Sequence, residues 1–599
     1  MDYRELKEKI AALVPLESED ENLMKSGMNS LMIMRMVNDL RKEGIRVSYG
    51  KLMKNPTLKG WWELIEPLAK QEKSSPKEEQ LEQVQTGVPF PLTDVQYAYF
   101  VGRQKEQELG NIGCHAYLEF AGKGIDLKQL EHAWDVVLNH HPMLRARFLP
   151  EGKQEIMDCP YPESFSFVDL SENPQADREE NKIRETLSYR KLNVEEGQVA
   201  GLTVTLLPGG NQILHLDVDL LVSDVQSLNI LLRDLCMAYQ GKELRAESKT
   251  FSFAAYLKKC QKEAKEERES GEAYWKARIP ELPFGPELPL LVEPFAIETP
   301  RTTRHSLKIS TSEWETLEER AREKGATMAM VLICAFASVI ERWSNQKHFL
   351  LNLPTFNRKT GSAGMEDAIA DFTTLTLLEV DFRKRDTFAN RLSKLQEQLY
   401  QDLNHTAYSG VQVQREMMKY HGEKKQIAPV VFACNLGAPL VDETFRQVLG
   451  EFRYMVSQTP GVWLDFQSYE FSDGVQLTWD TVDGLFPEHM IEDMLDSMGA
   501  LLDVLANETW EQEIDVFPKR QRAFLDAQKT VGQPAAIGCL YDGFLEFVKK
   551  HPEKEAIYDA GINTSFTYQQ VSDMAFRVAN FLERKQIFHE PVAISTTRG

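Results

Sequence analysis

The chain has 599 residues, 42% hydrophobic and 27% charged, with a formal net charge of −22. That length exceeds what one hydrophobic core supports, so three or more domains are expected, and the acidic balance argues against nucleic acid as the main partner. No apolar run approaches a membrane span, so no membrane partner is expected; Met1-Asp-Tyr-Arg-Glu-Leu-Lys reads as an amphipathic helix rather than a signal peptide. Seven cysteines without a Cys-x-x-Cys, and no histidine cluster at ligand spacing, give neither a disulfide framework nor a metal site, which fits a reducing cytoplasm.

In chain order, residues 1–69 read as a small helical domain. Leu6, Ile10 and Leu13 line one helix face, Gly27-Met-Asn-Ser30 leads into a second helix over Leu31–Leu40, and Pro56-Thr-Leu58 opens a last one holding Trp61 and Trp62. This resembles an acyl, peptidyl or aryl carrier domain, a four-helix bundle whose motif is usually Gly-x-Asp-Ser-[Leu/Ile]. The resemblance implies covalent 4′-phosphopantetheine on Ser30 and a phosphopantetheinyl transferase as partner. A serine at a helix start is exposed, and the helix dipole favours a phosphate there. Asn29 replaces the usual Asp and drops a charge that helps a basic transferase dock. Residues 70–87, Lys-Gln-Glu-Lys-Ser-Ser-Pro and onward, have linker composition, suited to a swinging carrier.

Residues 88–508 read as one long segment that holds a series of motifs. They open with Phe90-Pro-Leu-Thr-Asp-Val-Gln96-Tyr-Ala-Tyr99-Phe-Val-Gly-Arg103, followed by Asn139-His-His-Pro-Met-Leu-Arg145. From Ile213 to Leu221 apolar and polar residues roughly alternate, which predicts a strand. Ser227 then opens a run at helical spacing, so Asp219, Asp224 and Ser227 fall where a strand hands over to a helix. Further on stand Asp371-Phe-Thr-Thr, Pro429-Val-Val-Phe-Ala-Cys-Asn and Trp463-Leu-Asp465-Phe-Gln467, with Leu282-Pro-Phe-Gly-Pro between them.

Asp219-x-x-x-x-Asp224-x-x-Ser227 resembles the signature of heterocyclization domains, the cyclizing relatives of condensation domains in nonribosomal peptide synthetases, and the remaining motifs follow in that family's order. The resemblance implies an α/β domain of two chloramphenicol-acetyltransferase-like lobes, divided near residues 265–285, with Asp219 to Ser227 at the seam. It implies amide formation between a carrier-bound acyl group and a Cys, Ser or Thr thioester on a downstream carrier, then loss of water to a thiazoline or oxazoline.

The family residues held responsible for dehydration are a Thr and an Asp. The Asp is Asp465; the Thr position is Ala433, followed by Cys434, and the residue after the Asp is Phe466. Cys434 offers at most a weak hydrogen bond in place of the hydroxyl. Asp219 and Asp224 are expected to hold the seam rather than to work as paired acid and base, because a turn offers solvent and helix amides that lower a carboxyl pKa. His141 is read as structural. A condensation-only acyltransferase and a non-catalytic docking scaffold are the alternatives.

Residues 509–534 read as a linker. From 535 to 599, a helix from Leu540, a strand at Glu555, a helix start at Phe566 and a strand over Pro591–Ser595 resemble the opening of an α/β adenylation domain. No Gly-rich phosphate loop follows, so these residues are expected not to activate an amino acid, and a separate adenylation enzyme is expected to load the carrier.

Overall fold

A computed structural model describes residues 1–16, 18–28, 32–33, 36–37, 39–40, 43–45, 47–71, 84–356, 358, 364–422, 426–437, 439–471, 473–514, 517–531, 539–588 and 591–593. The chain separates into two compact units, Met1–Lys519 and Arg520–Gly599.

The first unit begins with a small helical core. Helices Tyr3–Ala11, Tyr49–Lys54 and Leu58–Gln71 have described bounds. The expected helix over Leu31–Leu40 lies partly outside the described residues, and Ser30 wholly outside them. Asp2 and Glu5 form a reciprocal capping box that fixes the first helix start. Leu6, Ile10, Ile33, Leu40, Leu52, Trp61 and Ile65 close the core, with the Trp61 indole donating to Leu52 O at 2.9 Å. Tyr400, from a helix far along the chain, packs into this same core, and Ser48 Oγ donates to Asn404 Oδ1 at 2.5 Å.

Two large sheets dominate the rest of the unit, beside a small one of Phe90–Pro91, Lys153–Ile156 and Ala146–Leu149. The five-stranded sheet runs Glu451–Gln458, His115–Lys123, Asn211–Asp219, Ala200–Leu206, Phe165–Asp169. The six-stranded sheet runs Thr373–Asp381, His348–Phe356, Val430–Cys434, Leu464–Phe471, Gly474–Val482, Thr302–Ser310. The expected strand is therefore present as Asn211–Asp219, yet its alternation does not mark a solvated face: every residue after Asn211 is buried. Leu214, Leu216 and Val218 enter the apolar core. His215, Asp217 and Asp219 on the other face each find a polar or charged partner, as burial requires: Thr205 at 2.8 Å, the half-buried Arg190, and the buried Arg103.

The lobes do not divide at one point in the sequence. The helix Lys265–Arg278 already packs with the six-stranded sheet, Trp275 and Ile279 meeting Leu350 and Leu377. Later the chain returns, and Glu451–Gln458 pairs antiparallel with His115–Lys123 before re-entering the other sheet at Leu464. Gly450 permits that crossing: its φ is +120°, and a Cβ there would lie 2.3 Å from Ala121 O.

In the second unit, the helix Asp542–Lys550 precedes a hairpin of Glu555–Asp559 with Thr564–Thr567. Phe566 is thus a strand residue, and the next helix starts two residues later than expected, at Tyr568, because Thr567 and Gln570 cap it reciprocally. Part of the expected strand Pro591–Ser595 lies outside the described residues. A helix Lys519–Val531 falls within the stretch read as linker. Among the described residues no single helix is long and apolar enough to cross a membrane.

Gly450→Ala combines a strained φ with a clash against strand backbone. It is expected to cost about 2–3 kcal/mol, read as a lowered denaturation midpoint of the first unit; an unchanged midpoint would mean that the crossing has slack.

Candidate functional site at the junction of the two sheets

Asp219 ends its strand and Asp224 begins the helix Val225–Tyr239. The residue capping that helix is Asp224 and not Ser227: its Oδ1 accepts from Ser227 N at 2.7 Å, which leaves the Ser227 hydroxyl free for other work. That hydroxyl donates to Ala370 O at 2.8 Å and accepts from Arg358 at 2.8 Å and from Ala370 N at 3.2 Å. Arg358 also reaches Asp224 Oδ1 at 2.9 Å and the carbonyls of Met365 and Ala368. Arg358 and Ala370 belong to the segment between two strands of the six-stranded sheet, so this cluster joins the two sheets.

The solvated turn expected around these aspartates is not what the structure contains. Asp219 is 0% exposed and Asp224 2%. Burial pushes the Asp219 carboxyl up, against the pull of Arg103. The sequence motif did not reveal that its charges lie in the interior, where each takes an arginine: Arg103 for Asp219, Arg358 for Asp224. His141 is likewise interior, with Nε2 2.9 Å from Asp234, and His140 contacts Ser248 at 2.8 Å.

Asp465 stands apart from that cluster, on the strand Leu464–Phe471, directly after the loop that leaves the crossing strand. Side chains alternate across a strand, and the register sorts the dehydration motif into two faces. Val431, Ala433, Asp465 and Gln467 share one face, with Val431 opposite Asp465 and Ala433 opposite Gln467. Phe432, Cys434, Phe466 and Ser468 share the other. Phe432 and Phe466 stack there with centroids 4.4 Å apart inside the core, and Cys434 packs against that core with its sulfur 3.6 Å from Ser468 Oγ.

Cys434 therefore points away from Asp465 and does not stand in for the missing hydroxyl at Ala433. Burial raises its thiol pKa further, which removes any thiolate role. Nor does Phe466 deprive Asp465 of a polar neighbour, since it lies on the core face. The polar neighbours are Gln467, whose amide donates to Asp465 Oδ2 at 2.6 Å, and Asp480, directly across the sheet. Asp480 is held by Arg304 through bonds of 2.7 and 2.6 Å, and Gln467 accepts from Arg304 and from the Tyr469 hydroxyl.

Asp465 Oδ1 is buried without a hydrogen-bond partner. The residue borders a narrow crevice of about 10 Å³, room for about one water, shared with Ser457, Thr459 and Asp480. Burial first, then the negative charge of Asp480, pushes its carboxyl up to about 7. A carboxyl with one fixed oxygen, one open oxygen and a pKa near neutrality exchanges protons in both directions.

Comparison with known proteins then places the chain. The condensation-domain model matches residues 89–525, and the phosphopantetheine attachment-site model matches residues 4–65. The chain belongs to the condensation-domain family of nonribosomal peptide synthetases. Its carrier domain takes covalent 4′-phosphopantetheine. Gly27, the first residue of the Gly27-Met-Asn-Ser30 motif, takes a φ of +104°, a left-handed turn that glycine adopts without strain.

Among curated proteins it is 36% identical over 593 residues to pyochelin synthetase PchE of Pseudomonas aeruginosa, covering 97% of this chain and 40% of that one. It is 33% identical to phenyloxazoline synthase MbtB of Mycolicibacterium paratuberculosis, covering 96% of this chain and 50% of that one. The chain thus spans half or less of the length of these relatives. Among solved structures, the EpoB cyclization-docking bidomain from Sorangium cellulosum superimposes with a TM-score of 0.67 at 29% identity, over 80% of this chain and 99% of that one. The synthetase FmoA3 gives 0.68 at 28%, over 84% and 55%.

The Asp465 shift has a consequence for stability. Its folded pKa lies above the unfolded carboxylate value near ~3.8, so its contribution is fully present below that value and is lost as pH rises through about 7. Asp465→Asn should flatten the fall in stability between about pH 4 and 7, followed by denaturant midpoints across that window; parallel profiles for parent and variant would mean that Asp465 is already ionised at the low end.

Proposed function

We propose that residues 88–508 condense an acyl group carried on the phosphopantetheine of Ser30 with a Cys, Ser or Thr thioester, and cyclodehydrate the amide to a thiazoline or oxazoline. The observation that carries this is Asp465: a buried carboxyl beside a narrow crevice at the junction of the sheets, with an unpartnered oxygen and a pKa of about 7. Two relatives are called pyochelin synthetase and phenyloxazoline synthase, and one superimposed structure is described as a cyclization bidomain; these support the cyclizing branch. The leucine at position 220, where condensation domains carry a proton-exchanging histidine, supports it further.

The carrier's arm supplies a thioester-bearing tether; the remaining steps belong to side chains. After the amide forms, the acceptor's thiol or hydroxyl adds to its carbonyl carbon. Asp465 in its acid form gives a proton to the resulting hydroxyl, and the C–O bond breaks with its electron pair as water leaves. The nitrogen–hydrogen pair closes the C=N bond, and the nitrogen's proton returns Asp465 to the acid. Gln467, itself braced by Tyr469 and Arg304, holds Asp465 Oδ2 in line, and Arg304 pairs with Asp480 across the sheet. Asp219, Asp224 and Ser227 position the lobes. A phosphopantetheinyl transferase, a loading adenylation enzyme and a downstream carrier would be the partners, in the cytoplasm, with residues 535–599 opening an adenylation domain.

A second reading, condensation without efficient cyclization, draws on Ala433, which places a methyl group beside Gln467 where the family has a hydroxyl. The two part in one experiment. The chain is loaded from an aryl-acyl coenzyme A by a broad transferase and offered a cysteinyl thioester, and products are followed by mass spectrometry. The parent should yield amide and a species lighter by one water, Ser30→Ala neither, and Ala433→Thr should form the dehydrated species about tenfold faster. Only undehydrated amide from parent and Ala433→Thr would establish the condensation-only reading; no amide at all would leave a docking scaffold.

A further inference from the structure

Asp465 supplies the proton for dehydration, but the strand Val430–Cys434 beside it offers nothing to hold the oxygen that departs. Val431 stands opposite Asp465 and Ala433 opposite Gln467, both apolar, and Cys434 lies on the other face. Gln467 occupies Asp465 Oδ2, while the buried Oδ1 has no partner. Buried polar atoms are nearly always hydrogen-bonded, so an orphan oxygen beside a polar crevice marks a place for a small occupant. The crevice has about 10 Å³, room for about one water.

Its other wall is the crossing strand and the loop that follows. Ser457 and Thr459 line the crevice from that side, facing Asp465 and Asp480. Both sheets fix this wall. Ser457 is in register with Ala116 of the five-stranded sheet, and its amide donates to Asp480 Oδ2, on the six-stranded sheet, at 3.3 Å. Beyond it, Val462 N donates to Thr459 O at 3.3 Å, and Trp463 N to Pro429 O at 2.9 Å, which closes the loop onto the strand that carries Ala433. Pro460 rests against the end of the helix Asp94–Gly102: a Cβ on Gly102 would stand 2.9 Å from it. Thr459 is thus held between two anchored points.

The Thr459 hydroxyl has a proton to spare. Its one side-chain hydrogen bond among the described residues comes from the Cys114 thiol, 3.7 Å away. That contact uses the oxygen as acceptor, from a weak sulfur donor, and leaves the O–H free to point elsewhere. Thr459 also keeps partial access, whereas Ser457 is buried. In a crevice one water wide, every lining group lies within about one hydrogen bond of whatever fills it. The Thr459 hydroxyl and the open oxygen of Asp465 therefore address the same occupant.

We propose that Thr459 is a catalytic hydroxyl of this site, donating a hydrogen bond to the oxygen expelled during cyclodehydration, and that the crevice beside Asp465 receives that oxygen as water. This rests on the cyclodehydration reading above. Thr459 keeps its proton throughout: the departing oxygen takes its proton from Asp465, the C–O electron pair leaves with water, and the nitrogen's proton goes back to Asp465. The hydroxyl stabilises charge on the oxygen as the bond lengthens, which is the work of a preorganised donor. The size of the crevice suits the role, since it admits the water that is lost and no larger group.

The test uses the full chain loaded from the same aryl-acyl coenzyme A, with the same cysteinyl thioester. Thr459→Val removes the hydroxyl and keeps the shape of the side chain. The ratio of dehydrated to undehydrated product should fall about 10²-fold, total amide should fall far less, and the thermal midpoint should hold. Thr459→Ser should keep the parent's ratio, because the donor remains. A parent that cyclizes and a Thr459→Val that cyclizes equally fast would overturn the role of Thr459 alone. So would a fall of that size in Ser457→Ala with none in Thr459→Val, which would move the role to the serine. Parallel loss of amide, dehydrated product and thermal midpoint in Thr459→Val and Thr459→Ser would also overturn it, in favour of a packing role. A parent that never loses water would overturn the cyclodehydration reading itself, and the role of Thr459 with it.

Discussion

The buried contact of Arg358 with Asp224 and Ser227 is the constraint on which the rest of the first unit depends. Asp224 and Ser227 start a helix that follows the five-stranded sheet, while Arg358 and Ala370 lie between strands of the six-stranded one. Arg358 makes four hydrogen bonds there, and its guanidinium lies 4.3 Å from the Phe372 ring centroid. Taking these charges out of water is costly, so the pair adds little net stability; removing one partner strands the other at a cost of about 3–5 kcal/mol. Domains hold only about 5–15 kcal/mol in total, so the pair acts as a register pin. The two sheets either meet with it closed or do not meet.

With that pin closed, the crossing strand Glu451–Gln458 determines where the chemistry lies. The chain leaves one sheet, joins the other, and returns through a short loop, so the first residues of the returning strand emerge at the junction. Asp465 is the second residue of that strand. Its environment is then dictated by neighbours from both sheets: Ser457 and Thr459 from the crossing, Asp480 across the ladder. Burial raises its pKa, and the charge of Asp480, which pairs with Arg304, raises it further.

Much of this was legible in the residues. Alternation marked the strand before Asp219, helical spacing marked the helix after it, and the order of the motifs pointed to the family. Two things were not. The partners of Asp219 and Asp224 lie 116 and 134 residues away, and a local pattern carries no sign of a distant arginine, so the turn looked solvated when it is interior. The faces around Ala433 could have been read, since strand residues alternate. Read as a string, the motif offers the adjacent Cys434 as a weak hydrogen-bonding group, and parity puts it on the wrong side.

The account's central claim is that water is expelled at the Asp465 cleft during the reaction of carrier-bound substrates. The most direct measurement loads Ser30 with a donor whose thioester carbonyl carries heavy oxygen and analyses the product on the acceptor. Cyclodehydration expels that oxygen, so the dehydrated product should be unlabelled and the label should appear in water, with both signals lost in Asp465→Ala. A carrier-bound product that keeps the heavy oxygen, at the same yield with and without Asp465, would contradict the account.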